Sequence, residues 1–137
     1  MSWFSKIFKK EETLAPADLA LLGTDVHSHL IPAIDDGSKS LEDSINMIRS
    51  FQEMGYKKII TTPHVMSDFY KNTPETILGG LSDARAELKS QDIDIELEAA
   101  AEYYLDEVLE PQVKEGKLLT FWENYLLFEL PFMTEPP

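Results

Sequence analysis

The chain contains no cysteine, few basic residues and no long apolar run. The absence of cysteine from its 137 residues excludes disulfides, thiolate metal sites and a cysteine nucleophile, so a metal would need nitrogen and oxygen ligands. Only 12 Lys and Arg face 25 Asp and Glu, and the net charge of −13 argues against nucleic-acid binding. No run is long enough to span a membrane and no secretory leader is visible, so the expected compartment is the cytoplasm.

From residue 24 onward, strand and helix signals alternate, a pattern that predicts an α/β fold with a parallel sheet. We predict strands over residues 24–29, 57–62, 93–101 and 123–130, and helices over residues 41–54, 73–90 and 105–115. Residues 24–137 are expected to form a single domain. Residues 1–23 are expected to form an amphipathic segment and a connector, the latter including a possible second short helix.

The first ten residues combine apolar side chains at helical spacing with three lysines. Trp3, Phe4, Ile7 and Phe8 would share one face of a helix. Two interpretations follow: a short helix packed on the domain, which we favour, or a peripheral contact with an anionic membrane surface.

All three histidines, and two acids in apolar surroundings, fall at the ends of predicted strands. His27 and His29 are two residues apart, so a strand would point both imidazoles to one side. His64, Glu102 and Glu129 follow three further strand candidates. Each alone has an ordinary explanation, such as a surface histidine or a salt bridge to lysine. Because sites in parallel β/α folds lie at the carboxyl ends of strands, the coincidence predicts one shared metal site.

The loop after the first strand adds two adjacent acids, Asp35 and Asp36, followed by Gly37. Asp-Asp-Gly is often a plain turn, but this one leaves the same strand end as the histidine pair. One carboxylate can therefore reach the metal, and these observations leave both candidates open. Three histidines with three acids suit manganese, zinc or iron. A carboxylate that bridges two ions would create a multinuclear centre suited to phosphoester hydrolysis.

Four spaced motifs resemble the polymerase and histidinol phosphatase (PHP) superfamily, and within it the bacterial tyrosine-protein phosphatases of capsular and exopolysaccharide synthesis. The motifs are DVHSH at 25–29, DDGSKS at 35–40, TTPH at 61–64 and AEYY at 101–104. The resemblance spans residues 24–131 and implies the N-terminal part of a distorted PHP-type β/α barrel with a manganese-dependent multinuclear site. It also implies hydrolysis, by metal-activated water, of phosphotyrosine on the tail of a bacterial tyrosine kinase that regulates polysaccharide synthesis.

Carried over position by position, the resemblance implies catalytic and metal-binding residues. His27 and His29 would ligate one metal, and Glu102 would be the bridging carboxylate; these three form the implied catalytic group. The remaining implied ligands, for neighbouring ions, are Asp36, His64 and Glu129. Asp36 is preferred over Asp35 by its place in the motif.

The chain also departs from the family pattern. Relatives supply a further histidine and a final Asp-x-His pair from later strands, which three histidines cannot provide. We therefore expect a truncated domain, completed by self-association or by another chain, or a fragment that binds metal or the kinase tail without catalysis. Some relatives carry arginine where this chain has Val65, and Lys71 is the expected substitute contact to the phosphate. A phosphatase of small phosphomonoesters is a further alternative, disfavoured by the Asp-Asp-Gly-Ser and Glu-Tyr-Tyr contexts.

Overall fold

The computed structural model describes residues 15–131, so the interpretations of residues 1–10 lie outside the described residues. The connector contains a short 3-10 helix, Leu19–Leu21, whose first backbone groups are capped by the carboxylate of Asp18. Across residues 15–131 no helix is long and apolar enough to cross a membrane.

Two long helices form where the sequence predicts them. Helix α1 spans Leu41–Glu53 and is capped by Ser40, whose hydroxyl accepts a hydrogen bond from the backbone N–H of Asp43. Helix α2 spans Pro74–Ser90 and begins with a capping box at Thr73, followed by a proline that needs no hydrogen-bond partner. Both predictions are confirmed to within one residue.

Helix α3 spans Leu109–Glu115 and begins four residues later than predicted. The carboxylate of Asp106 accepts hydrogen bonds from the backbone N–H groups of Ser67 and Val108, which holds the preceding residues in a turn. The helix ends as predicted at Gly116, which adopts the left-handed conformation with φ of 66°.

The strands form two parallel three-stranded sheets. The first has the order β1 (Thr24–Asp25), β2 (Lys58–Thr61), β4 (Glu96–Ala99), and the second the order β3 (His64–Val65), β5 (Glu102–Tyr104), β6 (Leu127–Glu129). The parallel α/β prediction is therefore confirmed.

The predicted strand bounds need correction, because two strands break and then continue. Pro63 separates β2 from β3, and an alanine pair separates β4 from β5. The pairing carries across the break, since the N–H of Ala100 donates to the carbonyl of Thr61 and that of Glu102 to the carbonyl of Pro63. His64 and Glu102 are therefore the first residues of new strands, and do not simply follow the ends of β2 and β4.

The first and last predicted strands are also shorter than expected. Strand β1 has only two residues. Beyond it, the carbonyl of Ser28 accepts hydrogen bonds from the hydroxyl of Thr61, the last residue of β2, and from the backbone N–H of Thr62. Strand β6 begins only at Leu127, because Trp122 and Glu123 adopt positive φ values of 47° and 73° and form a turn.

The core determines which side of the second sheet is free for a site. Helices α1 and α2 share the larger core with the first sheet, and a smaller core contains Val65 and Tyr103. Alternate residues of a strand face opposite sides, so His64 and Glu102 point away from that smaller core. Their side chains are thereby presented to one common face.

Candidate metal centre

The carboxylate of Glu102 lies between the three histidines. Its Oε1 is 3.8 Å from Nε2 of His27, and its Oε2 is 3.3 Å from Nε2 of His29 and 3.2 Å from Nδ1 of His64. Oε2 of Glu129 approaches the same Nδ1 of His64 at 3.8 Å. Five side chains that the sequence spreads over a hundred positions are thus brought together, with Glu102 only 10% exposed at the centre.

The two adjacent aspartates occupy different environments. The side chain of Asp35 is fully buried, and it accepts hydrogen bonds from Nδ1 of His29 at 2.9 Å, from the N–H of His64 at 3.0 Å and from the N–H of Gly37 at 2.9 Å. The side chain of Asp36 is 63% exposed, and its Oδ1 lies 3.5 Å from Nδ1 of His29 and 3.6 Å from Nε2 of His64. Asp35 therefore supports the cluster from behind, while Asp36 faces its rings.

The contact between Asp35 and His29 shifts both pKa values. Burial by itself would raise the pKa of Asp35, but the hydrogen bonds from His29, Gly37 and His64 together outweigh it and lower that pKa. The hydrogen bond to Asp35 raises the pKa of His29, against an opposing effect of burial. An ionised carboxylate can only accept, so Nδ1 of His29 carries a proton and Nε2 faces Glu102. A carboxylate behind a histidine is the usual support of a metal-binding imidazole.

Two buried threonines, which sequence reasoning missed, position the first histidine pair. The hydroxyl of Thr62 lies 2.8 Å from Nδ1 of His27, which leaves Nε2 directed toward Glu102. The hydroxyl of Thr61 accepts the N–H of Leu30 and donates to the carbonyl of Ser28, both at 2.8 Å. The signal that could have revealed these two residues is a pair of adjacent hydroxyl side chains at the end of an apolar β-branched run.

His64 is fixed by two neighbours that the sequence analysis also missed. Its ring stacks on Tyr70 with a centroid distance of 5.5 Å and an interplanar angle of 10°. The side-chain amide of Asn72 donates to the carbonyl of His64 at 2.8 Å and to the carbonyl of Ile34 at 3.0 Å, which joins the two loops that carry candidate ligands.

The donor set fits divalent metal ions. Three overlapping groups each bring their ligand atoms within 4.8 Å of one another: His27, His29 and Glu102; His29, Asp36 and His64; and His64, Glu102 and Glu129. Nδ1 of His64 is buried and makes no hydrogen bond to any described residue, although it lies beside two carboxylates. A metal ion would give this buried ring nitrogen a partner, and mixed imidazole and carboxylate donors suit manganese, zinc or iron.

The structure does not bring Lys71 into this cluster. Its side chain is exposed, and it forms no ion pair within residues 15–131. Lys71 directly follows Tyr70, whose ring contacts His64. A role of Lys71 at the phosphate stays a prediction. Val65, which occupies the arginine position of some relatives, is only 8% exposed and packs in the smaller core.

A parallel β/α fold with histidines and carboxylates clustered where its strands break is the arrangement that the PHP resemblance implies. The family described as capsular polysaccharide synthesis, CpsB/CapC, matches residues 23–136, and the chain belongs to this family.

Relatives of the chain carry related names. It is 32% identical over 109 residues to the tyrosine-protein phosphatase YwqE of Bacillus subtilis, covering 79% of this chain and 43% of YwqE. It is 28% identical over 87 residues to the tyrosine-protein phosphatase CpsB of Streptococcus agalactiae, covering 63% of this chain and 36% of CpsB. The chain therefore spans less than half the length of these relatives.

A solved structure supports the same assignment. The fold matches a chain from crystal structures of YwqE from Bacillus subtilis and CpsB from Streptococcus pneumoniae, described as unique metal-dependent tyrosine phosphatases. The TM-score is 0.75 at 32% identity, and the match covers 82% of this chain and 46% of the solved chain. The expectation of an N-terminal part of this fold is confirmed.

Proposed function

We propose that this chain provides the first part of the metal centre of a protein-tyrosine phosphatase, and that the centre hydrolyses phosphotyrosine. The observation that carries the proposal is the carboxylate of Glu102, which all three histidines approach with a ring nitrogen. Divalent ions bound there would lower the pKa of a coordinated water and neutralise the oxygens of a phosphoryl group. The names of the relatives supply the substrate class.

The contacts support a division of roles among the donors. His27 and His29 would hold one ion through Nε2, and Glu102 would bridge it to a second ion held by His64 and Glu129. Asp36 would complete the coordination near His64, since Nδ1 of His29 is already engaged by Asp35. We propose manganese, with zinc or iron as alternatives, because the set combines imidazole with several carboxylates.

The residues behind the ligands would keep the imidazoles in their binding tautomers. Asp35 accepts a hydrogen bond from Nδ1 of His29 and so keeps the proton on that nitrogen. The hydroxyl of Thr62 can accept a hydrogen bond from Nδ1 of His27 in the same way. Both histidines then direct Nε2 toward Glu102. The chain's own contribution is thus a preorganised set of imidazole nitrogen donors around one carboxylate.

We further propose that the phosphotyrosine lies on the tail of a tyrosine kinase of capsular or exopolysaccharide synthesis. The family description supports the connection to polysaccharide synthesis. Tyrosine phosphorylation consumes ATP, which supports the cytoplasm as the compartment where enzyme and kinase meet.

One observation favours a second candidate, a metal-binding part that needs further strands for catalysis. Strand β6 pairs only with β5 within the described residues, and Phe128 and Leu130 beside this edge are 50% and 53% exposed. An open, apolar strand edge favours pairing with another segment. The additional strands could come from self-association or from a second chain.

The deciding experiment measures metal content and manganese-stimulated hydrolysis of a phosphotyrosine peptide. The double variant His27→Ala/His29→Ala should lose both, whereas Glu110→Gln on the exposed face of α3 should keep both. Metal binding without turnover in the parent chain would favour the metal-binding part over the complete phosphatase. Absence of stoichiometric metal from the parent chain would contradict both candidates.

A further inference from the structure

The candidate metal centre does not lie at the carboxyl ends of strands β3 and β5. Strands β3 and β5 begin at His64 and Glu102 and continue past them. Their continuation forms one wall of a cavity of about 430 Å³. Its apolar lining consists of Met66, Phe69, Tyr104, Leu105 and Pro131.

Three of these lining residues follow a cluster member by two positions. Met66 follows His64, Tyr104 follows Glu102, and Pro131 follows Glu129. Residues two apart in an extended chain face the same side at a spacing of roughly 6.6 Å.

The pairing of the strands also places the cavity wall next to the cluster. Tyr104 pairs with Glu129 in neighbouring strands, and the N–H of Leu105 donates to the carbonyl of Glu129 at 3.0 Å. The cavity therefore begins one side-chain layer beyond the candidate metal ligands.

The charges around the cavity indicate which part of a substrate it accepts. Asp68, Asp106 and Glu107 contribute to its lining, and three acids would repel a phosphate group. The apolar wall instead suits an uncharged ring. Phe69 is 78% exposed at this cavity, and a large exposed apolar side chain beside a pocket is typical of a binding site.

We propose that this cavity is the subsite for the aromatic ring of an aryl phosphomonoester, with Met66, Phe69, Tyr104 and Leu105 as its contacts. The inference rests on the proposed function, which places the phosphate at the metal centre. In phosphotyrosine a single oxygen joins the ring to phosphorus, so the ring must occupy space directly beside the phosphate. An alkyl phosphate leaves the cavity empty, and the subsite would therefore select aryl over alkyl esters.

The test uses the methyl signals of the methionines in the zinc-loaded chain, because zinc is diamagnetic. A peptide that carries phosphonomethyl-phenylalanine, a non-hydrolysable analogue of phosphotyrosine, should shift the methyl signal of Met66 through the ring current. Methylphosphonate should not shift it. Met47, which lies in α1, is 37% exposed and does not line the cavity, provides an internal reference that should stay unchanged. A Met66→Leu variant assigns the signal.

A matched pair of variants gives a second readout. Phe69→Ala should weaken binding of the aryl phosphonate by about 3- to 10-fold and leave methylphosphonate binding unchanged, the size expected for one aromatic contact. Leu78→Ala, which removes an exposed apolar side chain of α2, should change neither affinity.

The possible failures are distinguishable. Binding of the aryl phosphonate with an unmoved Met66 signal, or an equal loss for both ligands in Phe69→Ala, would overturn the ring subsite and leave the proposed function standing. Failure of both phosphonates to bind, together with no turnover of a phosphotyrosine peptide, would overturn the proposed function and the subsite with it.

Discussion

The buried carboxylate of Asp35 accepts a hydrogen bond from Nδ1 of His29 at 2.9 Å. This contact fixes the orientation and the tautomer of a histidine that belongs to two of the three groups of candidate ligands. A residue that need not touch the metal therefore controls how well the metal is held.

We expect Asp35→Asn to lower metal affinity by about 10- to 100-fold, the usual effect of removing such a supporting carboxylate. Competition with a chromophoric chelator measures the affinity. Asp83→Asn, on the exposed face of α2, is the matched control and should bind metal like the parent chain. Equal affinities for the Asp35 variant and the parent would contradict the supporting role.

The raised pKa of His29 predicts a defined pH dependence. In the metal-free protein this pKa lies above its ordinary value of 6.5, so its contribution to stability is fully present below 6.5 and is lost as the pH rises through the folded-state pKa. Protons compete with the metal for Nε2 of His29. When the solution is acidified from high pH, metal affinity should therefore begin to fall before the pH reaches 6.5. NMR titration of the imidazole signals gives the pKa. Asp35→Asn should return it toward the ordinary value, and an unchanged value would refute the assigned cause.

The depressed pKa of Asp35 predicts an effect of opposite sign. Its contribution to stability is present above its ordinary pKa of 3.8 and is lost as the pH falls through the lower folded-state value. Urea unfolding of the metal-free protein at a series of acidic pH values measures this loss. The parent chain should be more sensitive to acid than Asp35→Asn, and identical profiles would contradict the prediction.

Gly37→Ala should damage the metal centre through the backbone. A Cβ atom at this position would lie 2.3 Å from both Cβ and the carbonyl oxygen of His29, so the loop must shift. We expect a loss of about 1 to 3 kcal/mol in the free energy of unfolding, with weaker metal binding. Gly79→Ala is the control: its Cβ meets no atom within 4 Å in helix α2, and the change should stabilise by about 0.5 to 1 kcal/mol. Similar denaturation midpoints for both variants would contradict the close approach.

Asn72→Ala should uncouple the two loops that its amide joins. Two part-buried carbonyls, those of His64 and Ile34, would lose their donor, at a cost of about 1 to 3 kcal/mol. Chemical denaturation measures the loss, and Asn46→Ala on the exposed side of α1 provides the comparison. Equal stabilities would show that the loops are held by other contacts.

Glu102→Gln and Glu129→Gln should differ in metal stoichiometry. Glu102 belongs to two of the three ligand groups and Glu129 to one, so the first change should reduce bound metal more than the second. Metal analysis after gel filtration measures both. A larger loss in Glu129→Gln would contradict the central position of Glu102.

Much of this site could be predicted from the chain alone because its ligands carry a strong local signal. A histidine pair at alternate positions, and acids such as Glu102 and Glu129 next to apolar residues, are unusual in any strand. The supporting groups carry no such signal. Thr62 and Asn72 are ordinary residues whose importance depends on contacts 35 and 38 positions away, to His27 and Ile34.

The strand breaks escaped prediction for a related reason. Pro63 signals an interruption, but nothing near it shows that pairing resumes at His64. Pairing can resume there because the break between β4 and β5 lies beside the break between β2 and β3. The position of His64 and Glu102 at the start of their strands, instead of after a strand end, is thus a property of the assembled fold.

The candidate ligands extend from His27 in the first loop to Glu129 in the last strand, and they meet around Glu102. In a chain without cysteine, ions shared by these residues would cross-link segments a hundred positions apart, as a disulfide does in secreted domains. Ligands that assemble only on folding make ion binding selective for the native state, so each increase in free metal would raise the melting temperature. The supply of metal would then govern how long the folded chain survives.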